Sequence, residues 1–102
     1  MLRLKVAFDV DGTLRSNRTI TTTKPNRDIV KLFKLLSKFK NIDLYVWSGG
    51  GADYAKRFAK LYNLPVPDAH CIAKFGAPKM DIAIDDMHQF DLADKNLIVR
   101  CK

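Results

Sequence analysis

Residues 4–14, Leu-Lys-Val-Ala-Phe-Asp-Val-Asp-Gly-Thr-Leu, constrain the fold of this 102-residue chain more than any other segment. Lys5 apart, the segment begins as an apolar run of strand length, the pattern of a strand buried within a parallel sheet. Asp9 and Asp11 stand where that strand leaves the sheet, and Gly12-Thr13 turns the chain directly afterwards. Alternation along an extended strand carries residues i and i+2 to one side, so the two carboxylates are expected to converge. Converging carboxylates repel unless a proton or a cation lies between them. A hard divalent cation with oxygen ligands, Mg²⁺ foremost, meets that need. The competing reading is a polar turn that caps a core strand, but a mere turn rarely follows so apolar a strand with D-x-D-G-T.

The remaining pattern alternates between strand and helix. Segment 15–24 is polar and reads as an exposed loop or small hairpin. Pro25 suits the first turn of a helix. Ile29, Leu32, Phe33, Leu36 and Phe39 then follow helical spacing, with Lys31, Lys34, Lys38 and Lys40 largely elsewhere, as on a solvated face. Residues 42–47 are rich in β-formers and predict a second strand. Ser48-Gly49-Gly50-Gly51 follows, then a helix over 52–62 with Ala55, Phe58, Ala59 and Tyr62 facing inward. After the connector Leu64-Pro65-Val66-Pro67, a short strand is expected near 69–73 and a loop through Gly76 and Pro78. Met80 to Ile84 predict a strand that ends in Asp85-Asp86. A brief helical stretch near 87–93 and a last strand from Leu97 to Val99 complete the expected order.

Strands that alternate with helices imply right-handed crossovers and a parallel sheet. The expectation is one small doubly wound, Rossmann-like α/β domain over residues 1–102, with helices on both faces. In such sheets ligands gather at the carboxyl ends of the strands. The polar residues of chemical interest all fall at such ends.

Several of them have a chemical and a structural reading. Ser48 followed by three glycines offers a hydroxyl and backbone amides near a helix start, which can receive phosphate oxygens; a serine there is also a common helix cap. Asp85-Asp86 closes an apolar strand and supplies further acidic oxygens, though an Asp pair at a strand end is often a cap as well. Lys74 follows the third strand and belongs at the same sheet edge. Lys79 precedes the fourth strand, six residues and roughly 20 Å from that edge. His70 and His88 have no metal-ligand spacing and read as structural, and Phe8 and Trp47 read as core.

The run ending in Asp-Val-Asp-Gly-Thr resembles motif I of the haloacid dehalogenase superfamily, an apolar strand followed by DxDGT. Ser48 resembles its motif II and Asp85-Asp86 the DD form of its motif IV, so the resemblance spans residues 4–86. It implies that Asp9 attacks phosphorus to form an aspartyl-phosphate, while Asp11 acts as general acid and base. It implies substrate contacts from Ser48, Gly49 and Gly50, and a Mg²⁺ ion held among Asp9, Asp11, Asp85 and Asp86, with Asp86 the better direct ligand. A lysine is also implied. The Lys-Pro of related small sequences is Ala77-Pro78 here, and Lys74 is the preferred replacement over Lys79. Gly50-Gly51 stands where the family often carries a substrate-contacting side chain.

Only 36 residues separate Asp11 from Ser48, and loop plus helix account for them, so no cap domain fits. Capless relatives tend to act on macromolecular phosphates or to close the site by homo-oligomerisation. The net charge of +7 favours anionic partners. The expectation is therefore a Mg²⁺-dependent phosphatase acting on a nucleic-acid end, a nucleotide or a phosphoprotein. The alternative is a catalytically degenerate domain that keeps Mg²⁺ and recognises nucleic acid or protein. A phosphorylatable receiver domain ranks lower, because its acceptor position at the end of a middle strand is Ser48 here. No GxxxxGK loop argues for a P-loop kinase. No apolar run is long enough to cross a membrane. Without a signal-peptide pattern, Cys71 and Cys101 are expected to be reduced and the compartment cytoplasmic.

Overall fold

The apolar segment at the start of the chain becomes β1 (Leu4–Asp9), the middle strand of a five-stranded, all-parallel sheet. The computed structural model describes residues 2–16, 23–89 and 91–99. The other elements are α1 (Arg27–Leu36), β2 (Ile42–Ser48), α2 (Ala52–Leu61), β3 (Cys71–Ala73), β4 (Met80–Asp85) and β5 (Ala93–Ile98). The strand order is β3-β2-β1-β4-β5. This is the small Rossmann-like α/β fold expected, with no cap among the described residues. Most of segment 15–24, and Cys101, lie outside the described residues.

The second face of the sheet departs from the expectation. Phe8, Val46 and Ile84 point to one side, where they meet Phe33 of α1 and Ala55, Phe58 and Ala59 of α2. Both helices therefore cover the same face. Phe8 and Phe33 meet edge-on at 4.9 Å between ring centres, a geometry worth about 1 kcal/mol beyond the area it buries. On the other face Ala7, Trp47, Met80 and Ala83 are closed over by Ala77 and Leu92. Those two residues belong to the connectors before β4 and before β5. The reason is topological. β1, β2 and β3 advance in one direction, so two right-handed crossovers leave both helices on one side.

The helical stretch expected near 87–93 is also corrected. Among the described residues 86–92 contain no helix, and Ala93 already pairs beside Met80 at the far end of β4. The chain must travel back about 17 Å, the length of five strand steps. Eight helical steps cover only about 12 Å. An extended connector is the solution available to so short a segment. Asp85 receives the Met87 amide at 3.1 Å and Asn96 receives that of Gln89 at 2.9 Å, which fixes the connector's first half.

Register then gathers the polar residues. Asp9 lies opposite Trp47, one residue before Ser48. Phe8 pairs with Ile84, so Asp85 arrives beside Asp9. Ser48 pairs with Ala73, which delivers Lys74 to the same edge.

Candidate active site

Asp9, Asp85 and Asp86 each offer a carboxylate oxygen, and the three oxygens lie within 4.8 Å of one another. The Lys74 ammonium sits among them, 3.1 Å from Asp9 Oδ1 and 2.9 Å from Asp85 Oδ2. Asp9, Lys74 and Asp85 are buried, Asp85 completely. The Lys74 backbone is held as well, its amide donating to the Ser48 carbonyl at 2.9 Å. Its ammonium also stands 5.8 Å from the centre of the Trp47 ring.

The electrostatics of this cluster are unbalanced. Burial first, and then the charge of Asp85, push the Asp9 carboxyl up to about 7; Lys74 opposes the shift and Asp86 adds to it. Burial, followed by the hydrogen bond and charge of Asp85, also raises Asp86. Burial works against the Lys74 ammonium, yet Asp85 and Asp9 together outweigh it and leave its pKa raised. One cation thus faces three acids, and the remaining repulsion is what a divalent ion would relieve.

Asp11 does not join the three. Its carboxylate accepts hydrogen bonds from the Tyr54 hydroxyl at 2.6 Å and from Arg15 Nη1 at 3.1 Å. The expected convergence with Asp9 fails because β1 ends at Asp9. The Val10–Arg15 turn follows, with the amides of Leu14 and Arg15 returning to the carbonyls of Asp9 and Val10. Strand alternation stops there. Asp11 is instead held at the mouth by Tyr54 and Arg15. Burial, then the bond to Asp11, push the Tyr54 hydroxyl up to about 12, so it stays a donor.

Gly12 explains the glycine of the turn. Its φ is +78°, and a Cβ there would come within 2.8 Å of Asp86 Cγ. Gly12→Ala should cost about 1–2 kcal/mol for the left-handed backbone alone and displace Asp86. Thermal denaturation with and without Mg²⁺ checks this: a variant that melts and responds to the ion as the parent does would contradict the role.

Ser48 is buried, and its hydroxyl oxygen accepts the Gly50 amide at 2.9 Å. That amide is consequently engaged within the loop, where the sequence reading had it receiving phosphate. Gly49 and Gly50 are exposed. The Phe75 ring, 72% exposed, lies 3.7 Å from the position a Gly49 Cβ would take. Lys79 stands elsewhere, paired with Asp94 at 2.9 Å on the surface. His70 bonds the Leu44 carbonyl at 3.0 Å and stacks on Tyr45.

Arg15, Tyr54 and Phe75 are the site neighbours that sequence reasoning missed. Tyr54 lies one helical turn before Phe58 on the inward stripe of α2, a signal readable as core. No helix among the described residues is long and apolar enough to cross a membrane. No family model, curated protein or solved structure gave a significant match to this chain.

Proposed function

We propose that this chain is a Mg²⁺-dependent phosphomonoester hydrolase of the haloacid dehalogenase type, working through an aspartyl-phosphate on Asp9. The observation that carries the reading is the meeting of Asp9, Asp85, Asp86 and Lys74 at the carboxyl edge of a parallel sheet. The donor set fits the ion, since it is all oxygen and carries more negative charge than Lys74 offsets. Asp9, Asp85 and Asp86 would hold it. When bound, the ion would supply charge compensation for an incoming phosphate.

The protein's own groups would then divide the reaction. An Asp9 carboxylate oxygen attacks phosphorus, forming the acyl-phosphate bond as the bond to the leaving oxygen breaks. Asp11 supplies the proton that the leaving oxygen takes up. Water next attacks the phosphorus, gives its proton to Asp11, and frees the Asp9 carboxylate with release of phosphate. Lys74 holds negative charge that accumulates beside Asp9. Tyr54 and Arg15 fix where Asp11 stands at the mouth.

Hydrolysis of an aryl phosphate in Mg²⁺ that stops in excess EDTA is the expected result, and equal rates with and without chelator would sink the metal assignment. A binding module without turnover is the competing reading, favoured by the turn of Asp11 away from the other acids. Turnover that requires both Mg²⁺ and Asp9 excludes it.

The same cluster fixes a pH dependence of stability. Asp9 rises from an ordinary 3.8 to about 7 in the folded chain. A carboxyl raised on folding stabilises while protonated, and that contribution is lost as pH climbs from about 4 through about 7. The metal-free protein should therefore lose melting temperature from Asp9 between about pH 4 and pH 7. Mg²⁺ should restore most of the loss at the upper end. Parallel melting curves in EDTA and in Mg²⁺ across that range test it.

A further inference from the structure

The net charge of this chain comes from the segments that contain its two helices. Residues 24–40 and 52–61, which contain both helices, carry nine basic and two acidic side chains. The remaining nine basic and nine acidic residues cancel, so the helical layer holds the entire net charge of +7. Among the described residues elsewhere, four basic side chains form ion pairs: Arg3 with Asp43, Arg15 with Asp11, Lys74 with Asp9 and Asp85, Lys79 with Asp94. Among the described residues Arg27, Lys31, Lys34 and Lys38 form no such ion pair. All four are exposed.

Their spacing is regular. At 3.6 residues per turn they fall within an arc of about 60° and run about 16 Å along α1 and its last turn. Together they rim one shallow cleft floored by Val30 and Leu35. Neighbours in such a ladder stand about 5–6 Å apart. An evenly charged, unbranched backbone matches such a row better than the scattered carboxylates of an acidic protein. A lipid surface fits poorly, since membrane-surface helices bury their apolar face in the bilayer. Here Ile29, Leu32, Phe33 and Leu36 are already packed against the sheet. The ladder also starts beside the site. Arg27 follows Asn26, whose amide bonds the Leu14 carbonyl at 2.8 Å in the turn that carries Asp11.

We propose that the α1 ladder binds the phosphate backbone of a nucleic-acid strand, and that a terminal phosphate of such a strand is the substrate of the Asp9 site. The binding half stands by itself; the substrate half rests on the phosphatase reading above.

The test compares two double variants of equal charge, Lys31→Gln/Lys34→Gln on the ladder and Lys79→Gln/Lys95→Gln before β4 and on the edge strand β5. Anisotropy of a fluorescein-labelled 20-mer, single-stranded and duplex, is followed over a salt series in Mg²⁺. The ladder variant should bind at least about tenfold more weakly, with a slope of log K against log salt shallower by about 1.5. The control should stay within about twofold of the parent. Equal loss in both variants would reduce the effect to net charge and overturn the proposal. So would tighter binding of the parent to anionic vesicles or to poly-aspartate at matched charge. Phosphate release from a phosphorylated 20-mer below saturation should fall in the ladder variant while aryl phosphate hydrolysis stays unchanged. A bound 20-mer that keeps its phosphate, beside normal aryl phosphate turnover, would overturn the substrate half. Intact 20-mer binding with no aryl phosphate turnover would instead overturn the phosphatase reading and leave the binding face standing.

Discussion

Asp9→Asn should yield a folded protein with no measurable phosphate release. An amide oxygen is too weak a nucleophile to form the acyl-phosphate, and it brings no negative charge to a cation. The substitution is nearly isosteric and removes the carboxylate whose burial and proximity to Asp85 push its pKa up to about 7. The metal-free variant should therefore melt at or above the temperature of the parent at neutral pH, because one source of buried repulsion is gone. Stability gained as activity disappears is the behaviour of a residue retained for chemistry. Asp11→Asn supplies the contrast. It should spare formation of the phosphorylated enzyme better than its hydrolysis, so that phosphate remains on the protein after a short incubation. Both variants are checked by phosphate release, by protein-bound phosphate and by thermal denaturation. Substantial turnover in Asp9→Asn would end the covalent scheme.

Lys74→Ala should damage both activity and stability. Its ammonium lies within 3.1 Å of Asp9 and within 2.9 Å of the fully buried Asp85. Loss of a charge that stabilises a developing transition state costs roughly a hundredfold or more in rate, about 3 kcal/mol. The folded state suffers separately. Removal of one partner from a buried pair leaves an uncompensated charge, at a cost of about 3–5 kcal/mol. Mg²⁺ dependence should become steeper, since the ion is then the remaining counter-charge for the buried carboxylates. Lys79→Ala serves as the control, because its pair with Asp94 is more than half exposed on both sides. It should change rate and melting temperature little. A Lys74→Ala enzyme within about threefold of the parent would remove the lysine from the charge-bearing role.

How much of this was legible in the sequence depended on which physical rule governed each residue. The apolar runs that became β1, β2 and β4, and the inward stripes of both helices, were plain because burial on a fixed period leaves a fixed pattern. Lys74 was readable from its place after a strand, since every strand in a parallel sheet ends at the same edge. The separation of Asp11 from the other three acids was not legible, because strand alternation stops at Asp9, where the turn begins. Residues 87–93 looked helical by composition. The requirement that they return to the far end of β4 is a three-dimensional fact, invisible before the pairing of Met80 with Ala93 is known. Tyr54 and Arg15 escaped notice for a related reason. Tyr54 lies 43 residues from Asp11, and only the fold makes them neighbours.

The two helix-free connectors have a further consequence, for the order in which the molecule opens. Lys74 begins one connector and Asp86 begins the other, while Asp9 sits on the most enclosed strand. Among their described residues these connectors place Ala77 and Leu92 against the sheet, a small apolar area to lose. Segments of that kind open at a fraction of the free energy of the global transition. Amide exchange should accordingly be faster at 75–79 and 86–89 than along β1. An ion bound by both Asp9 and Asp86 would tie the second connector to the central strand, so its exchange rate would report occupancy of the site without any substrate present.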